Sequence, residues 1–235
     1  EVRGAADICG KVTREAAGAT SLAEGTPVAG GLFDINACAV ATGIIDDSKL
    51  CCIAGTWSIN EYISTQPVVA EDHFMTTIYC IPGYWLIGDS SPTSAGNLEW
   101  FVTNFMDSAC DEGTNVYEGC NELVEKLSPD DSVVFLPFLF GSYVGPEASG
   151  GFVGLRGHHT KEHMLRALYE GVAFATKVHI DRLARFRELP ETARVSGGAA
   201  KSRVWMQMFA DVLRKRIEIT ENDELGTLGA ALCAG

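Results

Sequence analysis

Gly150-Gly151-Phe152-Val153-Gly154-Leu155 is followed, after seven residues, by His163-Met164-Leu165-Arg166-Ala167-Leu168-Tyr169-Glu170. The first half lies in a glycine-rich stretch, 141–157, that reads as an extended loop. The second half belongs to the clearest helix in the chain. Thr160 is a suitable N-cap, and Glu162 falls in the first turn, where a carboxylate is favoured. Leu165, Leu168, Tyr169, Val172, Ala175, His179, Leu183 and Phe186 recur at helical spacing. Pro190 lies beyond the end, so the helix is predicted over 161–187. Its apolar stripe calls for a sheet to pack on.

Downstream, Arg194-Val195-Ser196 reads as a short strand entering Gly197-Gly198. Ser202 caps a helix carrying Trp205, Met208, Phe209, Val212 and Leu213. Ile217 to Thr220 is a strand, and a last helix opens near Gly226 and reads as unfinished at Gly235. Upstream, a helical segment falls around 11–17. Gly30-Gly31 is a turn before an apolar helical stretch ending at Gly43. Leu50 to Ile63 reads as strand, tight turn at Gly55-Thr56, strand. Strand signals follow at 74–81 and 84–88 around the turn Pro82-Gly83. Helices are expected from near Ser94 through Phe105 and over 114–127. Val133 to Phe140, between Asp130-Asp131 and Gly141, is a continuous apolar run and reads as a buried strand or its extension. The order implies a mixed α/β domain with a central sheet flanked by helices. Its glycine turns lie where strands feed helices, the places such sheets hold ligands.

Charge narrows the partners. With 18 Lys and Arg against 31 Asp and Glu, the chain carries −13. That argues against nucleic acid and anionic membranes, both of which need a basic face. It leaves phosphate ligands open, because backbone N–H groups hold phosphates without net positive charge. No apolar run is long enough to span a bilayer. Cysteines at 9, 38, 51, 52, 80, 110, 120 and 233 form no CxxC pair. They read as reduced thiols of a cytoplasmic protein. The first residues, Glu1-Val2-Arg3-Gly4, have neither a methionine nor an apolar signal region, and the chain reads as starting partway through a longer protein.

Three turns are candidate ligand sites. Gly55-Thr56 offers a close backbone approach and a hydroxyl, which suit phosphate oxygens; the same residues suit an ordinary hairpin. Gly197-Gly198 offers a flat wall for an adenine or ribose and a helix N-terminus for phosphate; a tight strand–helix turn accounts for it as well. Gly226 to Gly229 is similar, with close helix packing as the alternative. Neither a Walker A nor a complete GxGxxG motif occurs. Asp34 stands among Leu32, Phe33 and Ile35, where a carboxylate is costly without a task. It could serve as a general base for a substrate hydroxyl or, more simply, as a helix N-cap.

Other residues carry less. His158 and His159 are adjacent, cannot share one helix face, and have no further ligand at metal spacing, so no metal ligands are assigned. Trp85, Trp100, Phe101 and Phe105 read as core. Ser91, Ser94 and Ser108 lack the context of a serine hydrolase.

The quoted glycine–helix stretch resembles, across its whole length, the C-terminal signature of the FGGY family of carbohydrate kinases. Gly30-Gly31-Leu32-Phe33-Asp34 with Gly43 resembles the segment holding that family's catalytic aspartate. Gly55-Thr56 resembles its phosphate-contacting turn, and Ser196-Gly197-Gly198-Ala199-Ala200-Lys201-Ser202 its adenosine motif. Glu224 with Gly229-Ala230-Ala231 resembles its final nucleotide-side helix. Within the family, Ala29 to Asp34, Gly55-Thr56-Trp57 and Ser91 to Trp100 look most like the L-xylulose / 3-keto-L-gulonate kinase branch.

The resemblance implies an actin-like ATPase fold built from RNase H-like domains. Residues 1–45 would be the tail of an N-terminal domain carrying the catalytic aspartate, and 46–235 the C-terminal nucleotide-binding domain. It implies ATP-dependent phosphorylation of a ketose or related sugar, with Mg²⁺ held mainly by ATP, waters and protein outside this chain. Asp34 would be the base. Gly55 and Thr56 would contact phosphates, and Gly197, Gly198, Gly226, Gly229 and Ala230 would form the adenosine wall. The family's first phosphate motif, Asp-x-Gly-Thr, is not in this chain, so the chain alone is expected to bind nucleotide weakly and not to turn over. Two rivals are a non-catalytic nucleotide switch on the same fold and a ligand-free structural module. For the latter, the long helix is a candidate homodimer interface, although packing on the sheet explains its stripe.

Overall fold

The structure, a computed structural model, describes residues 3–71, 75–106, 115–128, 133–220 and 224–235. Glu1, Val2, Ser108, Cys110 and Asp130-Asp131, named above, lie outside them, as do the first positions of the elements predicted from 74 and from 114.

The elements follow in chain order. Strand β1 (Ile8–Lys11), helix α1 (Arg14–Thr20) and strand β2 (Pro27–Ala29) precede helix α2 (Asp34–Ala41). Strands β3 (Leu50–Ala54), β4 (Ser58–Ser64), β5 (Met75–Ile78) and β6 (Trp85–Ser91) come next, then helices α3 (Gly96–Phe105) and α4 (Val116–Glu125). Strands β7 (Val134–Leu136) and β8 (Gly151–Val153) lead to helix α5 (Lys161–Leu183). Strand β9 (Thr192–Ser196), helix α6 (Arg203–Leu213), strand β10 (Arg216–Ile219) and helix α7 (Leu225–Ala234) complete the described chain.

The main sheet has six strands in the order β10-β9-β3-β4-β6-β5. β10, β9 and β3 run parallel, whereas β4, β6 and β5 are joined antiparallel, so the expected mixed sheet forms. Successive strand residues face opposite sides. Cys52, Tyr62 and Ile87 therefore pack in one core, with Leu165, Leu168, Tyr169 and Val172 of α5 and Trp205 and Phe209 of α6. Their neighbours Cys51, Ile63 and Leu86 face the other side, packing with Ala39 of α2, Ile44 and Tyr79. The long helix does lie on the sheet, as its stripe requires. It ends at Leu183 rather than 187.

Two expectations are corrected. The apolar run 133–140 is not one continuous buried strand. Only Val134–Leu136 is extended, and it pairs with Gly151–Val153 in a separate ribbon. Val133 and Phe135 are buried while Val134 and Leu136 are exposed. Pro137 ends the strand because it has no N–H to offer a ladder. The loop predicted over 141–157 thus contains β8.

Helix α7 lies against α2 at an unusually close approach. A Cβ on Gly229 would sit 1.9 Å from the Ala37 carbonyl oxygen, so the two backbones abut. Gly229→Ala must push the helices apart. Overpacking of this kind costs about 1–3 kcal/mol, and the urea midpoint of unfolding is expected to fall accordingly. An unchanged midpoint would contradict the close approach.

Candidate active site

The turn at 55–57 joins β3 to β4 and is held from two sides. The Gly55 N–H donates to the Trp57 carbonyl at 3.2 Å, and the Gly55 carbonyl accepts from Ala95 N–H at 2.9 Å, just before α3. Thr56 is left exposed at the tip. Gly197, at the end of the neighbouring parallel strand β9, sits directly against this turn. Its φ is 93°, and a Cβ there would lie 2.7 Å from the Ala54 carbonyl and 2.9 Å from Gly55 N. Both the left-handed backbone and the contact require glycine. The fold thus joins two turns that lie far apart in sequence.

From Gly197 the chain runs through a single 3₁₀ turn, Gly198–Lys201, before α6 begins. This turn intervenes where a direct strand–helix junction was expected. Ser202 Oγ then accepts from Trp205 N–H at 3.2 Å and caps α6, as predicted. A cavity of about 600 Å³ opens along this path. Gly55, Thr56, Gly198 and Ser202 line one side, and Leu98, Glu99, Tyr117 and Asn121 another. Tyr169 and Trp205 also line it, stacked with centroids 4.2 Å apart. Trp205 Nε1 donates to the Tyr169 carbonyl at 2.9 Å. Burial pushes the Tyr169 phenol up, so it remains a hydrogen-bond donor.

Other predicted residues fall elsewhere. Gly226, Gly229 and Ala230 do not line this cavity; Gly229 is instead the contact of α7 on α2. Asp34 does not line it either. It is the first residue of α2 and is exposed, and its Oδ1 accepts from Ile35 N–H at 2.8 Å. This corrects two expectations. Phe33, not Asp34, is the N-cap residue. The carboxylate is not buried among its apolar sequence neighbours, because a first-turn residue projects from the open end of the helix. His159 Nδ1 accepts from Arg156 N–H at 2.9 Å. Among the described residues no three His, Cys, Asp or Glu side chains converge as a metal site. Of the aromatics expected in the core, Phe101 is fully buried, whereas Phe105 is 45% exposed.

Two buried polar groups carry no clear sequence signal. Ser91 Oγ lies 3.0 Å from His179 Nε2, and His179 Nδ1 lies 3.2 Å from Asp89 Oδ2, with Arg182 3.6 Å from the same oxygen. The order resembles a hydrolytic triad, but Ser91, His179 and Asp89 are all buried and none lines the cavity. The chain of contacts ties β6 to α5. Glu61, on β4, is fully buried on the α2 face of the sheet, opposite Cys51 of β3, whose thiol is the hydrogen-bonding group that meets its carboxyl. Burial first, then the Asp34 charge, pushes this carboxyl up to about 8, against a lowering by the Cys51 thiol.

With this geometry in place, similarity becomes informative. The sequence model for the C-terminal domain of the FGGY family of carbohydrate kinases matches residues 50–235. The chain belongs to the FGGY family of carbohydrate kinases. The L-xylulose/3-keto-L-gulonate kinase of Escherichia coli is 42% identical to this FGGY chain, over 99% of the chain and 46% of the relative. A probable L-xylulose kinase of Haemophilus influenzae is also 42% identical, over 97% of the chain and 46% of the relative. The solved structure of a xylulose kinase from Rhodospirillum rubrum superposes with a TM-score of 0.84 at 29% identity, over 99% of this chain and 46% of that one. The FGGY chain therefore spans about half the length of the relatives it matches. Its sheet and flanking helices have the actin-like ATPase fold of these kinases.

Proposed function

We propose that this chain supplies the nucleotide wall and the general base of an ATP-dependent sugar kinase. The acceptor would be a ketose like L-xylulose or 3-keto-L-gulonate. One observation carries the reading: the Gly55-Thr56 turn and the Gly197-Gly198 turn meet along a single cavity. Gly55 and Thr56 face the phosphates: the exposed Thr56 hydroxyl is the donor, and Gly55, whose own N–H is spent on the Trp57 carbonyl, allows the close approach of the turn. Gly197 sets the approach of the second turn. Gly198 lies open beside it, where even an added Cβ would meet nothing within 4 Å, and this leaves room for a ribose or base. Asp34 takes the proton from the sugar hydroxyl as the phosphoryl group transfers in line. Gly229 contributes through the packing of α7 on α2. Magnesium is held mainly by the ATP phosphates, waters and protein outside this chain.

In this reading residues 1–45 end an N-terminal domain, with α2 and Ile44 at the junction packed on the sheet of the C-terminal domain, 46–235. The sugar sits between this chain and the rest of the protein, in the cytoplasm, where ATP is abundant. The names of the relatives support the ketose class.

The test is ADP release by the full-length protein with ATP and a panel of ketoses and polyols. L-xylulose or 3-keto-L-gulonate is expected to give the highest kcat/KM. A panel with no release above the sugar-free control removes the reading. The chain alone is expected to show no sugar-dependent release, because it holds one wall of the site.

A further inference from the structure

Asn121, half-buried on α4, lines the cavity with its carboxamide oxygen already occupied twice. Tyr169 Oη donates to Asn121 Oδ1 at 2.9 Å, and Ser202 Oγ donates to the same oxygen at 2.6 Å. Ser202 Oγ uses its lone pair on Trp205 N–H, so its own proton is free to give. The two donors come from different elements, α5 and the start of α6, and Tyr169 is itself fixed by the stacked Trp205. The amide is thereby held in one orientation. The hydrogen bonds of its side chain among the described residues all fall on Oδ1, which leaves Nδ2 with two N–H donors beside the cavity.

The position along the cavity indicates what those donors meet. Gly197 touches the Gly55 turn, and Ser202 touches Asn121. A 3₁₀ turn rises about 2 Å per residue, so the five steps from Gly197 to Ser202 cover roughly 10 Å. That is the span from a nucleotide's phosphates to its base. Leu98 and Tyr117 add apolar and aromatic surface to the same lining, as a planar base needs.

We infer that Asn121 is a nucleobase-reading residue, whose Nδ2 N–H donates to a ring-nitrogen acceptor of the bound base. Tyr169 and Ser202 are the positioning residues that hold it. This rests on the nucleotide reading of the cavity given above.

The test uses Asn121→Asp and Asn121→Ala in the full-length protein. Asp keeps the oxygen that Tyr169 and Ser202 bind and replaces only the donors, so folding is preserved even if the Ala variant fails to fold. Dissociation constants are measured for ATP, 2′-deoxy-ATP, 3′-deoxy-ATP and inorganic tripolyphosphate. Leaving a buried acceptor of the base unpaired should weaken ATP at least about tenfold in the Asp variant. The same loss is expected with both deoxynucleotides, with tripolyphosphate affinity and the KM for sugar unchanged. A loss that vanishes with either deoxynucleotide means a ribose hydroxyl is the partner and overturns the inference. A loss shared by tripolyphosphate, or no loss with ATP, also overturns it. If the unaltered protein binds no nucleotide, the nucleotide reading falls with it; if it binds ATP and the variants bind equally well, only this inference falls.

Discussion

Replacing Asp34 with Asn in the full-length protein is expected to lower the kcat for sugar phosphorylation by about 10²–10⁴-fold, the usual contribution of a positioned general base. The substitution keeps the shape of the side chain and removes its capacity to accept the hydroxyl proton. The structure makes it a clean change. Asp34 is exposed at the first position of α2, and its carboxylate accepts a local hydrogen bond from Ile35 N–H. A neutral amide oxygen can accept that bond too. Only roughly a few tenths of a kcal/mol of favourable interaction with the helix N-terminus is lost. The unfolding midpoint and the dissociation constants of ATP and sugar should therefore stay close to those of the unaltered protein while turnover collapses. Turnover within a few-fold of the original removes the base assignment and returns weight to a non-catalytic nucleotide switch.

Glu61 gives the second large effect, on stability. Its carboxyl titrates near 4.5 in an unfolded chain and is pushed up to about 8 in the fold by burial. Asp34 and Cys38 of α2, Cys51 and Cys52 of β3, and Tyr79 are the titratable groups that interact with it. Below pH 4.5 both states hold the proton, and the group costs nothing by titration. As pH rises towards 8 the unfolded state releases the proton and the folded state does not, so stability falls by about 1.4 kcal/mol per pH unit. At pH 7 the loss is roughly 3 kcal/mol. Glu61→Gln abolishes this titration and leaves a buried amide, itself costing about 1 kcal/mol. The variant is expected to be about 2 kcal/mol more stable than the original at pH 7, with no gain at about pH 4. Urea unfolding at the two pH values measures the difference. A gain independent of pH, or a loss at pH 7, contradicts a protonated Glu61 in the fold.

How much of the molecule is legible in its sequence follows from how local each signal is. Helix α5 is legible because Thr160 and the Leu165–Leu183 stripe carry start and period within one segment. Strands β3 and β4 are legible because Gly55 and Thr56 mark the turn between them. The run at 133–140 misleads because continuous apolarity does not distinguish a central strand from a short ribbon with exposed alternate residues; Pro137 is the sign against the longer strand. Asp34 misleads differently, since apolar neighbours along the chain say nothing about where a helix terminus points. The cavity lining is the least legible part. Asn121, Tyr169 and Ser202 come from three segments, and nothing in any one of them shows that their polar atoms meet. Glu61 looks like an ordinary strand residue, because only the pairing of β4 inside the sheet buries it.

The abutting backbones of α2 and α7 have a mechanical consequence. Helices separated by interlocking side chains can slide past one another by switching rotamers. Gly229 and the Ala37 carbonyl have no rotamer between them to switch. A rock of α7 towards α2 therefore meets backbone at once, with no side chain to give way, and Asp34 rides on the end of α2. The place of the carboxylate is set in part by a contact that tolerates no inward movement of the chain's last helix.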